Sequence, residues 1–184
     1  MRMEKIFKDF EAQLAAERTR TIEYEAQDTR RAEFAKITQA DRFAAQMGKT
    51  LQVNCAESLT WEGELVSMGN GWIQLRAHAE NVLIPMGSIN WWEGGHRGSF
   101  VESSTVARRL SMGYALRALA TARLPLRIFH DDGSVTSEGT IERVGMDFLE
   151  LALHPLEGSY RSMNITGYRT LGLSRVSAVC SLAL

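Results

Sequence analysis

The chain has 184 residues, of which 45% are hydrophobic and 23% charged, a composition typical of a soluble globular protein. Its net charge of −1 gives no overall attraction to nucleic acid or to a membrane surface. No apolar run approaches the ~18 residues of a membrane helix, and residues 1–13 have no signal-peptide pattern. We therefore expect a cytoplasmic protein.

The side chains that most often carry catalysis or bind metals are few and scattered. Cys55 and Cys180 are too few and too far apart for a disulfide framework, so two buried thiols are expected. The four histidines lack metal-ligand spacing, and no nucleophile elbow, phosphate loop or dinucleotide-binding motif is present. Asp-Asp-Gly at 131–133 is typical of a tight turn. We expect no enzyme activity, no metal and no cofactor.

The first predicted elements are two helices. Residues 1–36 lack glycine and proline and carry eight acidic and eight basic residues, which indicates a charged helical arm. Charge pairs at helical spacing add only about 0.2–0.5 kcal/mol each, so this arm needs a partner surface. A second helix is predicted between Thr38, a plausible N-cap, and Gly48.

Short strands follow in close succession. Leu51, Val53 and Cys55 alternate, and further apolar-rich segments occupy residues 63–68, 72–75, 82–86 and 89–92. Asn70-Gly71 indicates a tight turn between two of them. The pattern then restarts: residues 98–104 are predicted as a linker, 105–122 as a helix, and Leu126 and Ile128 as the start of a new set of strands.

The two sets of strands repeat each other. "GELVSMGNGWIQL" (63–75) aligns with "GTIERVGMDFLEL" (139–151) at an offset of 76 residues, pairing Gly63 with Gly139 and Trp72 with Phe148. The offset is 75 upstream and 87 downstream, where residues 84–89 meet 171–176. We interpret this agreement in order, spacing and residue class as duplication of a unit of one helix and five strands.

Five short strands with an apolar face usually curl into a barrel. The sequence therefore predicts a mainly β (α+β) protein with two tandem five-stranded barrels, each preceded by a helix, and a charged N-terminal helix. The predicted boundaries are 1–36 for the arm, 37–97 for the first barrel, 98–104 for the linker and 105–184 for the second barrel.

The repeated motif resembles that of the Sm-like fold, which includes bacterial Hfq. Gly139, Ile141, Asp147 and Leu151 match the first Sm motif, and "VLIPMGSI" (82–89) resembles the closing strand. The resemblance covers about residues 38–92 and 112–180. It implies Sm-like barrels and rings made by pairing of strand edges, within one chain or from fewer subunits. The two-barrel layout also resembles an uncharacterised actinobacterial family, which implies no known activity.

The sequence departs from the RNA-binding members of the Sm-like family. Gln74 and Glu150 lie on the strands that would carry the RNA-facing polar residue, and Glu150 has the wrong charge for phosphate. No Lys-His pair lies near the closing strands. RNA binding through the usual pore is therefore not expected.

One segment is strongly basic. Residues 97–127 carry six arginines against one glutamate, Glu102. Arginine suits bidentate contacts to phosphate, so a nucleic-acid site is one interpretation. A solvated helix face, or pairing with the acidic barrels of the same chain, is the other. The candidate residues are Arg97, Arg108, Arg109, Arg117, Arg123 and Arg127.

Several aromatic positions are candidates for contact with a protein partner. Trp72 and Phe148 are predicted to point away from the barrel cores, onto a covered surface or over a barrel end. Strand alternation predicts that Trp91 faces inward and Trp92 outward, as a contact anchor or packed on the linker helix. The loop at 152–168 is eleven residues longer than its counterpart and carries the candidates Tyr160 and Arg161. A purely structural hairpin is the alternative.

These observations favour a non-catalytic binding or scaffolding protein that holds a protein partner or self-associates. The alternative is an RNA- or DNA-binding regulator that uses residues 97–127. Neither a membrane nor a small-molecule substrate is expected as a partner.

Overall fold

The protein is described by a computed structural model that covers residues 2–56, 59–78, 80–100, 109–131, 135–156 and 165–182. The chain divides into two units, Met1–Gln39 and Ala40–Leu184.

The first unit consists mainly of one long helix, α1 (Arg2–Phe34). Ion pairs at i,i+3 spacing join Arg31 to Asp28 at 3.6 Å and Lys36 to Glu33 at 2.6 Å. Among the side chains of α1 that the structure describes, Leu14, Ile22, Tyr24 and Phe34 are exposed. The helix therefore resembles the charged arm that the sequence predicts.

In the residues that the structure describes, the second unit has ten strands and two short helices. Helix α2 (Gln39–Ala44) leads into β1 (Thr50–Ala56), β2 (Leu59–Gly69), β3 (Trp72–Ala77), β4 (Glu80–Pro85) and β5 (Trp91–Gly94). Helix α3 (Met112–Thr121) leads into β6 (Leu126–His130), β7 (Thr136–Val144), β8 (Phe148–Leu153), β9 (Gly167–Gly172) and β10 (Val176–Leu182). Residues 86–88 and 173–175 form 3-10 turns.

The prediction of two tandem barrels is wrong, because all ten strands belong to one antiparallel sheet that does not close. Its order is β5-β1-β2-β3-β4-β10-β6-β7-β8-β9. Strand β10 causes the difference: Val179 pairs with Ile128 of β6 on one side and with Leu83 of β4 on the other. Neither half closes on itself because β4 and β10 use their outer edges to join the two halves.

The two halves of the sheet have the same strand order. Strands β5-β1-β2-β3-β4 correspond to β10-β6-β7-β8-β9, and the register agrees. Leu51 lies opposite Gly63 and Leu126 opposite Gly139. Each half also has a β-bulge in its second hairpin, between 65 and 67 and between 141 and 143. The halves can therefore be compared residue by residue.

The helices are shorter than predicted. Helix α3 begins at Met112 rather than at 105, because Ser111 is its N-cap and accepts a hydrogen bond from the Tyr114 backbone N–H at 3.3 Å. Residues 105–108 lie outside the described part. Helix α2 ends at Ala44, and the chain turns to reach Gly48 at φ 74°. Arg123 has φ 52° at the corresponding place after α3.

Two hydrophobic clusters form the core, and each takes residues from both halves. One surrounds Phe43, Leu65 and Ile73 and includes Ala178 and Cys180 of β10. The other surrounds Leu116, Ile128 and Leu151 and includes Trp72 and Leu83 of the first half. Burial of apolar surface therefore couples the two halves.

The glycines at 63 and 139 have the structural role that their repetition suggests. A Cβ atom at Gly63 would lie 2.6 Å from the Arg76 carbonyl oxygen across the hairpin. A Cβ at Gly139 would overlap the Ala152 carbonyl oxygen, and Gly139 has φ 156°. Only a residue without a side chain allows these strands to approach so closely.

Candidate functional site

The two halves of the sheet meet where β4 pairs with β10. Along this junction, Val179, Cys180 and Ser181 of β10 lie opposite Leu83, Val82 and Asn81 of β4. The Ser88 hydroxyl has two carbonyl acceptors within reach, Pro85 at 2.8 Å and, across the junction, Ser177 at 3.0 Å. The rings of Trp61 and Phe129 meet edge to face at 5.5 Å. Backbone pairing, a side-chain hydrogen bond and an aromatic contact thus join the two halves.

A second contact across the junction lies at the turn between β2 and β3. The carbonyl oxygen of Leu110 accepts from the Asn70 backbone N–H at 2.9 Å and from Trp72 Nε1 at 2.8 Å. Asn70 also forms an isolated parallel bridge with Ser111. As a result, only 5% of Trp72 is exposed. We call this turn, residues 69–72, the first seat, and Leu110–Ser111 its occupant.

The corresponding turn of the second half, residues 145–148, has the same internal shape. Met86 N–H donates to the Gly71 carbonyl at 2.8 Å, and at the matching positions Leu173 N–H donates to the Asp147 carbonyl at 2.8 Å. Here, however, Phe148 is 38% exposed and Met146 is 99% exposed. We call this turn the second seat. In the described part of the chain, nothing fills it as Leu110 fills the first.

The two end strands also correspond to the strands of the junction. In the described residues, β5 pairs only with β1 and β9 only with β8. By sequence register, β5 matches β10 and β9 matches β4. The exposed side chains on these edges include Trp91 and Glu93 on β5, and Tyr168, Arg169 and Thr170 on β9. One end of the sheet, β5, is therefore the counterpart of β10, and the other end, β9, is the counterpart of β4.

The orientation of the tryptophan pair on β5 is opposite to the prediction. Trp91 is 45% exposed, whereas Trp92 packs on Phe43 of α2 with ring centroids 4.8 Å apart. The guanidinium of Arg42 lies 5.6 Å from the Trp92 ring. Strand alternation does not extend from Ile89 to β5, because the 3-10 turn at 86–88 and the bend at Asn90 interrupt it. Trp92 is thus a core-side residue.

The predicted basic residues do not form one continuous group of free cations. Arg123 pairs with Glu142 at 2.9 Å and Arg127 with Glu138 at 2.8 Å, both carboxylates of β7. Arg97, Arg109 and Arg117 are exposed. Arg108, like the candidate partner residues Tyr160 and Arg161, lies outside the described residues. Arg123 and Arg127 therefore form ion pairs within the chain, as one of the two interpretations of the basic segment expects.

One polar cluster resembles a catalytic arrangement, but its serine is buried. Ser137 Oγ lies 2.9 Å from His130 Nε2 and accepts from Arg169 Nη1 at 2.7 Å. Burial, and then the charge of Arg169, lowers the pKa of His130 below its usual value, and Asp131 acts in the opposite direction. Only 2% of Ser137 is exposed. The cluster fastens β9 to β7 rather than presenting a nucleophile.

One cleft lies between α3 and the sheet. It has a volume of about 240 Å³ and is lined mainly by apolar side chains, with Gln74, Asn81 and Ser181 as polar members. This is below the ~300–1,000 Å³ of typical ligand pockets. Within the residues that the structure describes, no group of three His, Cys, Asp or Glu side chains could hold a metal ion.

Both cysteines are buried free thiols, as the sequence predicts. Burial raises the pKa of Cys55 to about 12, and burial and then Glu80 raise the pKa of Cys180 well above its usual value. Since the thiolate is the nucleophile, we expect a disulfide reagent such as DTNB to modify the folded protein at least ~100-fold more slowly than the denatured protein. Rapid modification of either thiol under native conditions would contradict this burial.

Across the described ranges, no helix is both long and apolar enough to cross a membrane. No protein-family model matches the chain, and no curated protein matches it.

Proposed function

We propose that the protein is a non-catalytic, cytoplasmic scaffold that assembles from several copies through the two open edges of its sheet. The pairing of β4 with β10 supports this proposal, because it joins two strand edges of the same kinds within one chain. Strands β9 and β5 are the counterparts of β4 and β10, one at each end of the sheet. Two buried thiols without a disulfide support a reducing compartment.

The register of the junction specifies how two copies would meet. Applied to the end strands, it places Trp92 of one copy opposite Thr170 of the next, and Glu93 opposite Arg169. Both charged side chains are exposed. Opposite charges that face each other across strands contribute roughly 0.2–1 kcal/mol, and like charges there are destabilising. The charges of the two edges therefore support this register.

The contact joins different surfaces of the two partners. Such a head-to-tail interface generates a closed ring if the rotation closes, and a filament otherwise. In either assembly, every copy would present its remaining surface at regular intervals. A scaffold that holds protein partners is the function that this arrangement best supports.

Light scattering after size-exclusion chromatography tests the proposal. The protein is expected to elute at a multiple of its 20.6 kDa mass. Glu93→Arg and Arg169→Glu should each lower that mass, because each places like charges opposite one another. Arg169 also contacts Ser137 of its own chain, so the double variant with both charges exchanged is the decisive control. A monomer at all concentrations, or no recovery in the double variant, would refute the proposal.

Binding of RNA or DNA through residues 97–127 is the alternative proposal. Its support is that Arg109 and Arg117 are exposed and form no ion pair with any described residue. A binding assay with mixed nucleic-acid pools at several salt concentrations tests it. Affinity that falls steeply with salt, and weakens in Arg109→Ala/Arg117→Ala, would favour the alternative. No binding at low salt would exclude it.

A further inference from the structure

We infer that the cleft between α3 and the sheet binds a small, uncharged heteroaromatic molecule with a hydrogen-bond donor and an acceptor side by side on one edge. The cleft lies within the second unit, where α3 faces strands β3, β4 and β10. The sequence does not predict this site, because its polar residues come together only when β10 pairs with β4. The inference goes beyond the assembly proposed above and does not depend on it.

Three uncharged polar side chains line the cleft close together, namely Gln74 of β3, Asn81 of β4 and Ser181 of β10. Asn81 lies directly opposite Ser181, and Gln74 lies opposite Leu83, one diagonal step from Asn81. Residues directly opposite each other have Cβ atoms roughly 4.5–5.5 Å apart, and diagonal neighbours are about 7–8 Å apart. A molecule of one or two rings can therefore contact at least two of these side chains.

Strand alternation places this polar group on the face of the sheet that α3 covers. Leu83 and Val179 pack with Leu116 of α3 in one hydrophobic cluster. Asn81 and Ser181 lie two residues from them along β4 and β10, and residues two apart on a strand share a face. The side chains of Asn81 and Ser181 therefore face α3.

These polar side chains have no hydrogen-bond partner in the part of the chain that the structure describes. Ser181 is only 8% exposed, and a buried hydroxyl without a partner is unfavourable because it gives up hydrogen bonds to bulk water. Among the described side-chain atoms that lack a partner, only Trp61 Nε1 is completely enclosed by protein. The Ser181 hydroxyl therefore opens into the cleft, where a ligand can reach it.

The rest of the cleft is mainly apolar, with aliphatic side chains such as Ala115 and Leu119 of α3. No charged side chain is among the described residues that line it. Arg76, which lies opposite Asn81, is paired with Glu64 at 3.0 Å. Apolar walls with a few polar groups are typical of small-molecule sites. An ion would lose hydration here without gaining an opposite charge, so the ligand is uncharged.

The polar groups and the volume of the cleft define the ligand. The primary amide of Asn81 offers a donor and an acceptor side by side, so it can form two parallel hydrogen bonds with an edge that offers the same two groups. Asparagine contacts the edge of adenine in this way. The cleft has a volume of about 240 Å³, and a cavity of about 150 Å³ is sufficient for benzene. One or two fused rings with an amide-like edge therefore fit.

Titration of the full-length protein with 2-quinolone, followed by saturation-transfer difference NMR, tests the site. This probe is an uncharged two-ring lactam whose N–H and C=O groups lie side by side. We expect a Kd of roughly 10 µM to 1 mM, the range that ligand efficiency allows for a molecule of this size. N-methyl-2-quinolone has no donor and should bind at least about tenfold more weakly. Quinoline-2-carboxylate is charged and should not bind.

Three variants locate the probe. Asn81→Leu removes the donor and the acceptor at nearly constant size, so it should weaken binding of 2-quinolone at least about tenfold. Ala118→Phe should weaken binding by a similar factor, because Ala118 lines the cleft and is exposed at its edge. Thr121→Phe adds the same ring at an exposed position of α3 that does not line the cleft, so it should leave the Kd unchanged.

The comparison of the three probes uses the unaltered protein, so it decides the question even if Asn81→Leu does not fold. Absence of 2-quinolone binding at millimolar concentration would overturn the inference. Equal affinity for N-methyl-2-quinolone would show that the polar edge is not recognised, and an unchanged Kd in Ala118→Phe would show that the probe binds elsewhere. A Kd that rises with protein concentration would show that a second copy fills the cleft. Each of these results would overturn the inference, whereas the edge assembly is judged separately by molecular mass.

Discussion

Gly139→Ala is expected to lower the free energy of unfolding by roughly 2–4 kcal/mol. The new Cβ atom would overlap the Ala152 carbonyl oxygen, so β7 and β8 would have to separate. The backbone at φ 156° is also strained for any residue with a side chain. Chemical denaturation monitored by circular dichroism measures the effect.

Gly113→Ala provides a control of opposite sign. Gly113 lies in α3, and a Cβ atom there would meet only the Arg117 guanidinium at 3.6 Å, an ordinary contact. Alanine is favoured over glycine in a helix by up to about 1 kcal/mol, so this variant should be slightly more stable than the natural protein. If the two variants lost the same stability, the strand contact at Gly139 would not be the cause.

Trp72→Ala is expected to cost about 3–5 kcal/mol of stability. The change removes a ring that is 5% exposed and packed in the core of the second half, together with its hydrogen bond to the Leu110 carbonyl. Because both cores take residues from both halves, the variant should still unfold in one transition at a lower denaturant concentration.

Phe148→Ala is the matched comparison, because Phe148 holds the same position in the second half. Its ring is 38% exposed, so the loss within one chain should be smaller, about 1–2 kcal/mol. Equal losses for the two variants at high dilution would show that the seats do not differ as described.

Much of the fold follows from local patterns in the sequence. Alternating apolar residues such as Leu51 and Val53 mark a strand, and Asn70-Gly71 marks a turn in which Gly71 has φ 78°. The repeat of 63–75 in 139–151 predicts equal strand order in the two halves because it preserves both spacing and residue class. These features depend on contacts between neighbouring segments, which a sequence records directly.

Local sequence patterns do not show which strand pairs with a given strand edge. Every residue of β10 from 176 to 181 is buried, and this burial does not distinguish a strand that closes its own barrel from one that joins another half. Trp72 and Phe148 show the same limit at the candidate site. They are equivalent in sequence, yet only one is covered, because only one lies where Leu110 reaches it. The difference between the two turns therefore arises only in the folded chain.

The position of β10 at the centre of the sheet has a consequence for synthesis. This strand follows the other nine along the chain. One edge of β4 and one edge of β6 therefore have no partner strand until the ribosome has added β10. Its pairing with β4 spans almost a hundred residues and raises the contact order. Two unpaired edges in a growing chain are sites for wrong pairing with other nascent chains. The addition of β10 therefore removes two unpaired edges at which nascent chains could aggregate.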